Sequence, residues 1–275
     1  MMLHLTPLGA TIYTALAAYA GAFVAQLVRR PRLGRALLAA GSAVALAALG
    51  WRWVETGHVP LQNLFEIFLA MGVALCPIAW CCRRWLPAPA EALDPLLGLI
   101  VLFPVGFIFS AEPRDLPPAL QSWLFVPHVA VYLAAYLLLA RAALTAVSLY
   151  WQRNGTLPQI GDRLGGHRRW LQSSIFNSSD RLARAGFPLL TAGLILGALW
   201  GKLAWGDYWH WDPKEMWSLA TWLLYCGYFH FRALTGARYP RTCAVLLVAG
   251  LVAIILTVTI VNIAAIFSGM HSYAK

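Results

Sequence analysis

Charge is what this 275-residue sequence has least of. Asp, Glu, Lys and Arg make up 12% of it, about half the roughly 25% of an average soluble domain. Hydrophobic residues make up 60%, and the mean hydropathy is +0.64. A soluble globular fold is excluded, and the chain reads as a membrane protein. Acidic residues are scarcest, 11 against 21 basic ones, for a formal net charge of +10. In a polar chain that excess would suggest a nucleic-acid partner. Here the basic residues sit in short clusters between long apolar runs, which is the pattern of positive-inside loops and argues against nucleic acid.

Cysteine is also sparse. All five, Cys76, Cys81, Cys82, Cys226 and Cys243, fall inside apolar runs or at their basic ends, so no outward-facing pair exists to form or exchange a disulfide. Cys81-Cys82 lacks a C-x-x-C spacing and reads as small apolar packing. No repeat of 20–50 residues is evident, and no segment is low-complexity beyond Ala/Leu richness. The start lacks a basic n-region and a small-residue cleavage site, so the first apolar run is expected to be a span and not a cleaved signal.

A span needs about 20 mostly apolar residues, and eight segments qualify: 8–28, 36–53, 63–82, 95–111, 123–150, 185–204, 213–234 and 242–267. Pro104 is expected to kink the fourth. The expected fold class is therefore all-α, a polytopic membrane helix bundle of about eight transmembrane helices in one domain, 1–275. Placing 29–35, 83–94, 151–184 and 232–241 on one side collects 15 of the 21 Lys/Arg. Arg52, Arg114, Lys202, Lys214 and Lys275 fall on the other, and Arg141 lies within the fifth span. The positive-inside rule then puts both termini outside and makes 151–184 a cytoplasmic loop.

Tryptophan is abundant: 13 in all, with Trp200, Trp205, Trp209, Trp211, Trp217 and Trp222 inside 23 residues. An ordinary aromatic belt spreads such residues over every helix end. The stretch Trp205-Gly-Asp-Tyr-Trp209-His-Trp211-Asp-Pro-Lys-Glu-Met-Trp217-Ser-Leu lies in an outer loop, 200–217, that runs into the seventh span. Asp212 as N-cap, Pro213 at the first helical position and Glu215 three residues after the cap form a capping-box pattern, with Trp211 and Met216 placed as a hydrophobic staple. Trp205 and Trp209 need another account. Large flat side chains beside Gly206 could form a platform for a planar apolar ligand; anchoring in the membrane interface is the simpler alternative.

Topology sorts the seven histidines. His128, near the outer end of the fifth span, and His271, just past the eighth, share the depth of the tryptophan loop. Two neutral imidazoles from separate helices are the usual axial pair of a low-spin haem iron. His230 lies 17 residues beyond Pro213, about 25 Å deeper along a helix, so it serves a separate, intramembrane site or snorkels with Arg232. His58 and His210 read as outer surface or secondary positions, with His210 turned away from Trp209 and Trp211 if the loop is extended. His4 and His167 read as a terminal and a loop residue. Lys202, Lys214, Arg52 and Arg114 are outer cations that could meet propionates. Glu66, one turn after Gln62 and Asn63, forms an outer polar cluster or simply a solvated helix start.

Together these residues resemble a known family. The run WGDYWHWDPKEMWSL, followed by a span ending Tyr-Phe-His230-Phe-Arg, is similar to the tryptophan-rich WWD signature of haem-handling proteins, and specifically of the CcsA/ResC family of system II cytochrome c maturation. The stretch Gly57-His58-Val59-Pro60-Leu-Gln-Asn63-Leu-Phe-Glu66 is similar to that family's loop and third span, and Pro127-His128-Val129 and His271-Ser-Tyr273 fit its two outer histidines. The resemblance covers most of the chain.

It implies a protein that exports haem b, exposes it on an outer platform and joins its vinyl groups to the reduced cysteines of a CxxCH apocytochrome c. His128 and His271 would ligate the outer haem and His230 an intramembrane one. Trp205, Gly206, Trp209, Trp211, Asp212 and Trp217 would form the platform, with His58, Asn63, Glu66, Lys202 and Lys214 as secondary positions. It further implies a separate CcsB/ResB-type membrane subunit, together a cytochrome c synthase of the haem lyase type. A thioredoxin-like thiol reductant would act indirectly, and the setting would be the bacterial cytoplasmic membrane with the active face periplasmic. No acid/base or nucleophilic constellation is visible, so proximity and orientation would carry the catalysis. The alternatives are a membrane b-type cytochrome for electron transfer, a transporter of another planar or anionic solute, and a HemX-like or CcmC-like haem chaperone.

Overall fold

Proline, glycine and short polar caps set where the helices begin and end. A computed structural model of the chain describes residues 6–86, 91–153, 165–236 and 238–260. Helix α1 (Pro7–Leu27) opens with the Thr6 hydroxyl accepting the Gly9 N–H at 3.0 Å, which satisfies one of the donors a helix start leaves over. Helix α2 (Pro31–Thr56) stops at Gly57, whose φ of 70° suits glycine. Helix α3 (Leu64–Trp85) is capped by Asn63, and α4 (Leu93–Phe107) carries Pro104 near its end. Helices α5 (Phe125–Arg153), α6 (Gly165–Trp205), α7 (Pro213–Thr235) and α8 (Pro240–Ile255, continued by a π turn over Leu256–Ile260) follow.

The chain is an all-helical multi-pass membrane bundle. Each of the eight expected segments overlaps one of these helices. Six of them are long and apolar enough to cross a membrane: α1, α2, α3, Phe125–Ser148 of α5, Asn177–Trp205 of α6 and Pro240–Thr259. Helix α4 has only 15 residues, about 22 Å of length against a core of about 30 Å. Helix α7 is long enough but rich in aromatic and polar side chains.

Helix α1 packs on α2 and α4, and α3 lies against α2 and α4. Helix α5 touches α3, α4, α6 and α8, so it joins the two halves, and α7 rests mainly on α8. Where α1 to α5 meet, several buried polar groups are paired, as a low-dielectric interior favours. The Tyr19 hydroxyl reaches the Gly72 carbonyl and the Ser42 hydroxyl, both at 2.7 Å, linking α1, α2 and α3. Arg141, the one cation inside the fifth span, meets Asp94 of α4 at 2.6 Å and the Thr145 hydroxyl at 3.1 Å.

The expected cytoplasmic loop at 151–184 is largely helix. Helix α5 runs to Arg153, and α6 is already helical from Gly165. Ser178, Ser179 and Asp180 are buried, and their polarity disguised the helix. Asp180 accepts from the Tyr228 hydroxyl at 3.0 Å and lies 2.9 Å from Arg184 and 3.6 Å from Arg232. At the other end, the outer loop expected at 200–217 is only residues 206–212; Trp200 and Trp205 end α6 and Trp217 belongs to α7.

Candidate haem-handling site

At the end of the bundle that carries the tryptophan loop, residues of α3, α5, α6 and α7, of the turn after α8 and of the loops at 61–62 and 208–209 border a half-open cavity of about 150 Å3. That is the size of an engineered core cavity that admits one benzene ring, so it takes an edge of a large planar ligand and not the whole. Its lining is mainly apolar, including Phe125, Val129, Leu194 and Ala198, with a few polar groups: His128, Gln62, Lys214, Glu215 and Ser218.

His128 is the centre of this arrangement. It stands one turn into α5, half-buried, and its Nδ1 lies 2.9 Å from the Gly193 carbonyl of α6. That carbonyl can only accept, so Nδ1 carries the proton and Nε2 the lone pair. A backbone carbonyl on the distal nitrogen is what orients and sharpens a metal-ligating histidine. The ring stacks on Trp200 (centroids 5.8 Å apart, planes at 16°) and meets Tyr132 edge-on at 5.0 Å. The approach needs Gly197: a Cβ there would stand 2.6 Å from His128 Cε1. Trp200 is held from behind, its indole N–H donating to the Ala119 carbonyl at 3.0 Å.

The tryptophans form a faceted wall. Trp205 meets Trp200 at 66° and Trp209 meets Trp211 at 85°, edge-to-face contacts that aromatic quadrupoles favour. Only Trp200 and Trp209 line the cavity. Trp211 is 67% exposed and Trp217 38%. The capping box forms as expected: Asp212 accepts the Lys214 N–H at 2.8 Å, and Glu215 accepts from the Asp212 and His210 N–H groups at 3.3 and 2.7 Å. Asp212 therefore serves α7 directly. Met216, the other half of the expected staple, is exposed like Trp211.

The loop corrects the reading of His210. It is not extended, because Gly206 at φ 92° and Trp211 at φ 58° turn the chain. His210 folds inward to meet the Trp205 ring edge-on at 5.9 Å, between Asp207 at 4.0 Å and Glu215 at 3.9 Å.

Other expected positions lie apart from the cavity. Asn63 caps α3 by accepting the Glu66 N–H at 3.0 Å. Glu66 pairs with Arg52 at 3.0 Å and accepts the Gln62 N–H at 2.9 Å. Arg52 is fully buried, and its remaining donors reach Glu55 and the carbonyls of Ala111 and Glu112. This guanidinium belongs to the scaffold and cannot meet a propionate. His58 is tied to the Val59 and Arg114 carbonyls at 3.1 and 3.3 Å. Lys202 donates to the Gly206 carbonyl and covers the Tyr208 ring. His230 is exposed on α7 with Nδ1 2.9 Å from the Cys226 carbonyl. His271 and His4 lie outside the described residues. His167 falls in α6, not in a loop.

Sequence reasoning missed Trp200, Tyr132, Gln62 and Glu215 as parts of the site. The spacing of Gly193 and Gly197, one turn apart on the span facing His128, was the available signal.

Residues 61–268 match the family described as "Cytochrome C assembly protein". Over 278 residues, 89% of the chain is 34% identical to 87% of the cytochrome c biogenesis protein CcsA of Synechococcus sp. strain CC9902. The chain belongs to the CcsA family. Similar likeness holds for CcsA of Synechococcus sp. strain CC9605 (35% identity, 89% of this chain and 87% of the relative). CcsA of Prochlorococcus marinus strain MIT 9313 is 35% identical over 86% of this chain and 82% of its own length. Membership of the CcsA family places the chain in cytochrome c biogenesis. The matched region holds His128, the tryptophan loop and His230, whereas His58 and His271 fall outside it.

Proposed function

We propose that this CcsA-family protein exports haem b and presents it at the periplasmic face of the bacterial cytoplasmic membrane for covalent attachment to apocytochrome c. The observation that carries this reading is His128: its Nδ1 is held at a backbone carbonyl, its ring is stacked on Trp200, and it borders a mainly apolar cavity. His271 supplies the second axial ligand. Trp205, Trp209, Trp211 and Trp217 with Gly206 border the macrocycle, while Asp212 holds the start of α7. His230, exposed on α7, ligates haem on its way outward.

Attachment adds each cysteine thiol of a CxxCH motif across a vinyl double bond. Sulfur joins one carbon and hydrogen the other, so no atom is lost and no net redox change occurs. The chain's residues bind, orient and exclude water, which for two oriented groups is the larger part of the barrier. All five cysteines here are free thiols in helices, so a thioredoxin-like reductant must act on the apocytochrome elsewhere. A CcsB/ResB-type subunit completes the synthase.

The test is the absorption spectrum of the purified protein, with and without that subunit, for the wild type and for replacements of His128, His230 and His271. Loss of outer haem on replacing His128 or His271, and of a second population on replacing His230, is expected. A complex lacking both outer histidines that still held outer haem and matured cytochromes c would defeat the reading.

A further inference from the structure

One donor in the cavity lacks the acceptor that burial demands, and a cation stands beside it. The indole Nε1 of Trp209 is buried and has no hydrogen-bond partner. Lys214, half-buried in the first turn of α7, lines the same cavity, and no hydrogen bond or ion pair ties its ammonium to another described residue. Of the carboxylates nearby, Asp212 caps α7 and also exerts its charge on Lys214 without a direct ion pair, and Glu215 accepts two backbone N–H groups. An unpaired buried donor is costly and a buried cation more so. A donor pair of this kind, one neutral and one cationic, in a mostly apolar recess suits a single carboxylate on an otherwise apolar ligand. Gln62 Oε1, the other buried unpartnered atom in the lining, is an acceptor and takes no part in holding an anion.

We propose that Trp209 Nε1–H and the Lys214 ammonium together bind one propionate carboxylate of haem and so fix the rotation of the macrocycle about the axis from His128 to iron. This rests on the haem-presentation reading and deepens it. Propionates and vinyls occupy opposite edges of haem b, so anchoring one propionate in the cavity turns the vinyl edge away from it, toward the apocytochrome thiols. Of the outer cations, Arg52 is spent within the scaffold and Lys202 on its own loop, whereas Lys214 faces the cavity.

The experiment compares binding of haem b and its dimethyl ester to the detergent-purified full chain, wild type and variants. K214M keeps the apolar stem without charge, W209F keeps a ring without the N–H, and K214R restores a cation. The wild type should prefer the free acid by about tenfold, the effect of a charge-assisted hydrogen bond. K214M and W209F should bring the acid-to-ester ratio near one whatever they do to overall affinity, and K214R should recover most of the preference. An unchanged acid-to-ester ratio in K214M and W209F overturns the proposal. So does loss of co-purifying anionic phospholipid with that ratio intact, which would assign the donors to a lipid phosphate. Failure of the wild type to bind either form would instead sink the haem reading beneath it.

Discussion

Replacing Gly197 by alanine separates the ligand geometry from the stability of the bundle. On an ordinary helix the change is favourable, by about 1 kcal/mol. Here the new methyl would stand 2.6 Å from His128 Cε1 and 3.0 Å from Nδ1, too close for either atom, so the imidazole must swing off Trp200 and give up its bond to the Gly193 carbonyl. Overpacking of this kind costs about 1–3 kcal/mol, which includes the roughly 1 kcal/mol of the lost hydrogen bond. The two effects leave a net destabilisation of about 0–2 kcal/mol, small enough for the protein to be made and inserted. Iron ligation should suffer far more, because losing the group that orients a ligating histidine costs about 10–100-fold in affinity. The assay is a haem titration followed by absorbance on purified G197A, paired with its thermal unfolding midpoint and the yield of matured cytochrome c. Gly201→Ala is the control: one turn further on, its nearest contact is the Asp207 carbonyl oxygen at 3.4 Å, and it should keep haem while gaining slightly in stability. Normal haem affinity and spectrum in G197A would refute the link between the Gly193 carbonyl, His128 and the iron.

Three further outcomes follow from described contacts. Arg52→Met leaves Glu66 buried without its cation and should lose about 3–5 kcal/mol, read as low accumulation in membranes; Arg52→Met with Glu66→Leu should recover part of it, and failure of the pair to do better than the single change would show the ion pair to be incidental. Asp212→Ala removes the cap of α7 and should lower stability by about 0.5–2 kcal/mol with outer haem retained; loss of haem at unchanged stability would make Asp212 a ligand-side residue. His230→Ala, on an exposed face, should shift the unfolding midpoint by no more than about 0.5 kcal/mol equivalent while removing only the intramembrane haem, and a large loss of stability would contradict its exposed position.

What the sequence made legible was whatever depends on local order. Helix positions follow from apolar runs, the α7 start from Asp212, Pro213 and Glu215, and the depth of His128 from counting along a span. Long-range pairing was out of reach. Arg52 and Glu66 lie 14 residues apart and looked like separate outer charges, yet they form one buried pair. Trp200 stood out no more than the other five tryptophans of its cluster, because its stacking on His128 joins α6 to α5. His210 was misjudged because its direction depends on two positive φ values, one at a tryptophan, that composition does not announce. The extent of α6 was hidden because its buried Ser178, Ser179 and Asp180 look like solvent-facing residues until Tyr228 and Arg232 are brought beside them.

The segment from Ala111 to Ala119 is gripped by side chains of two helices, α2 and α6, and of the loop before α3. Arg52 holds the Ala111 and Glu112 carbonyls, Gln62 that of Asp115, His58 that of Arg114 and Trp200 that of Ala119. A surface loop so fastened has surrendered its conformational freedom when the bundle forms, at about 1–2 kcal/mol per residue of backbone entropy. Nothing more is charged when a ligand arrives. The loop that braces the cavity-lining Gln62 and Trp200 is thus already set before the ligand arrives, and the free energy of binding can go into holding one orientation instead of ordering the chain that holds it.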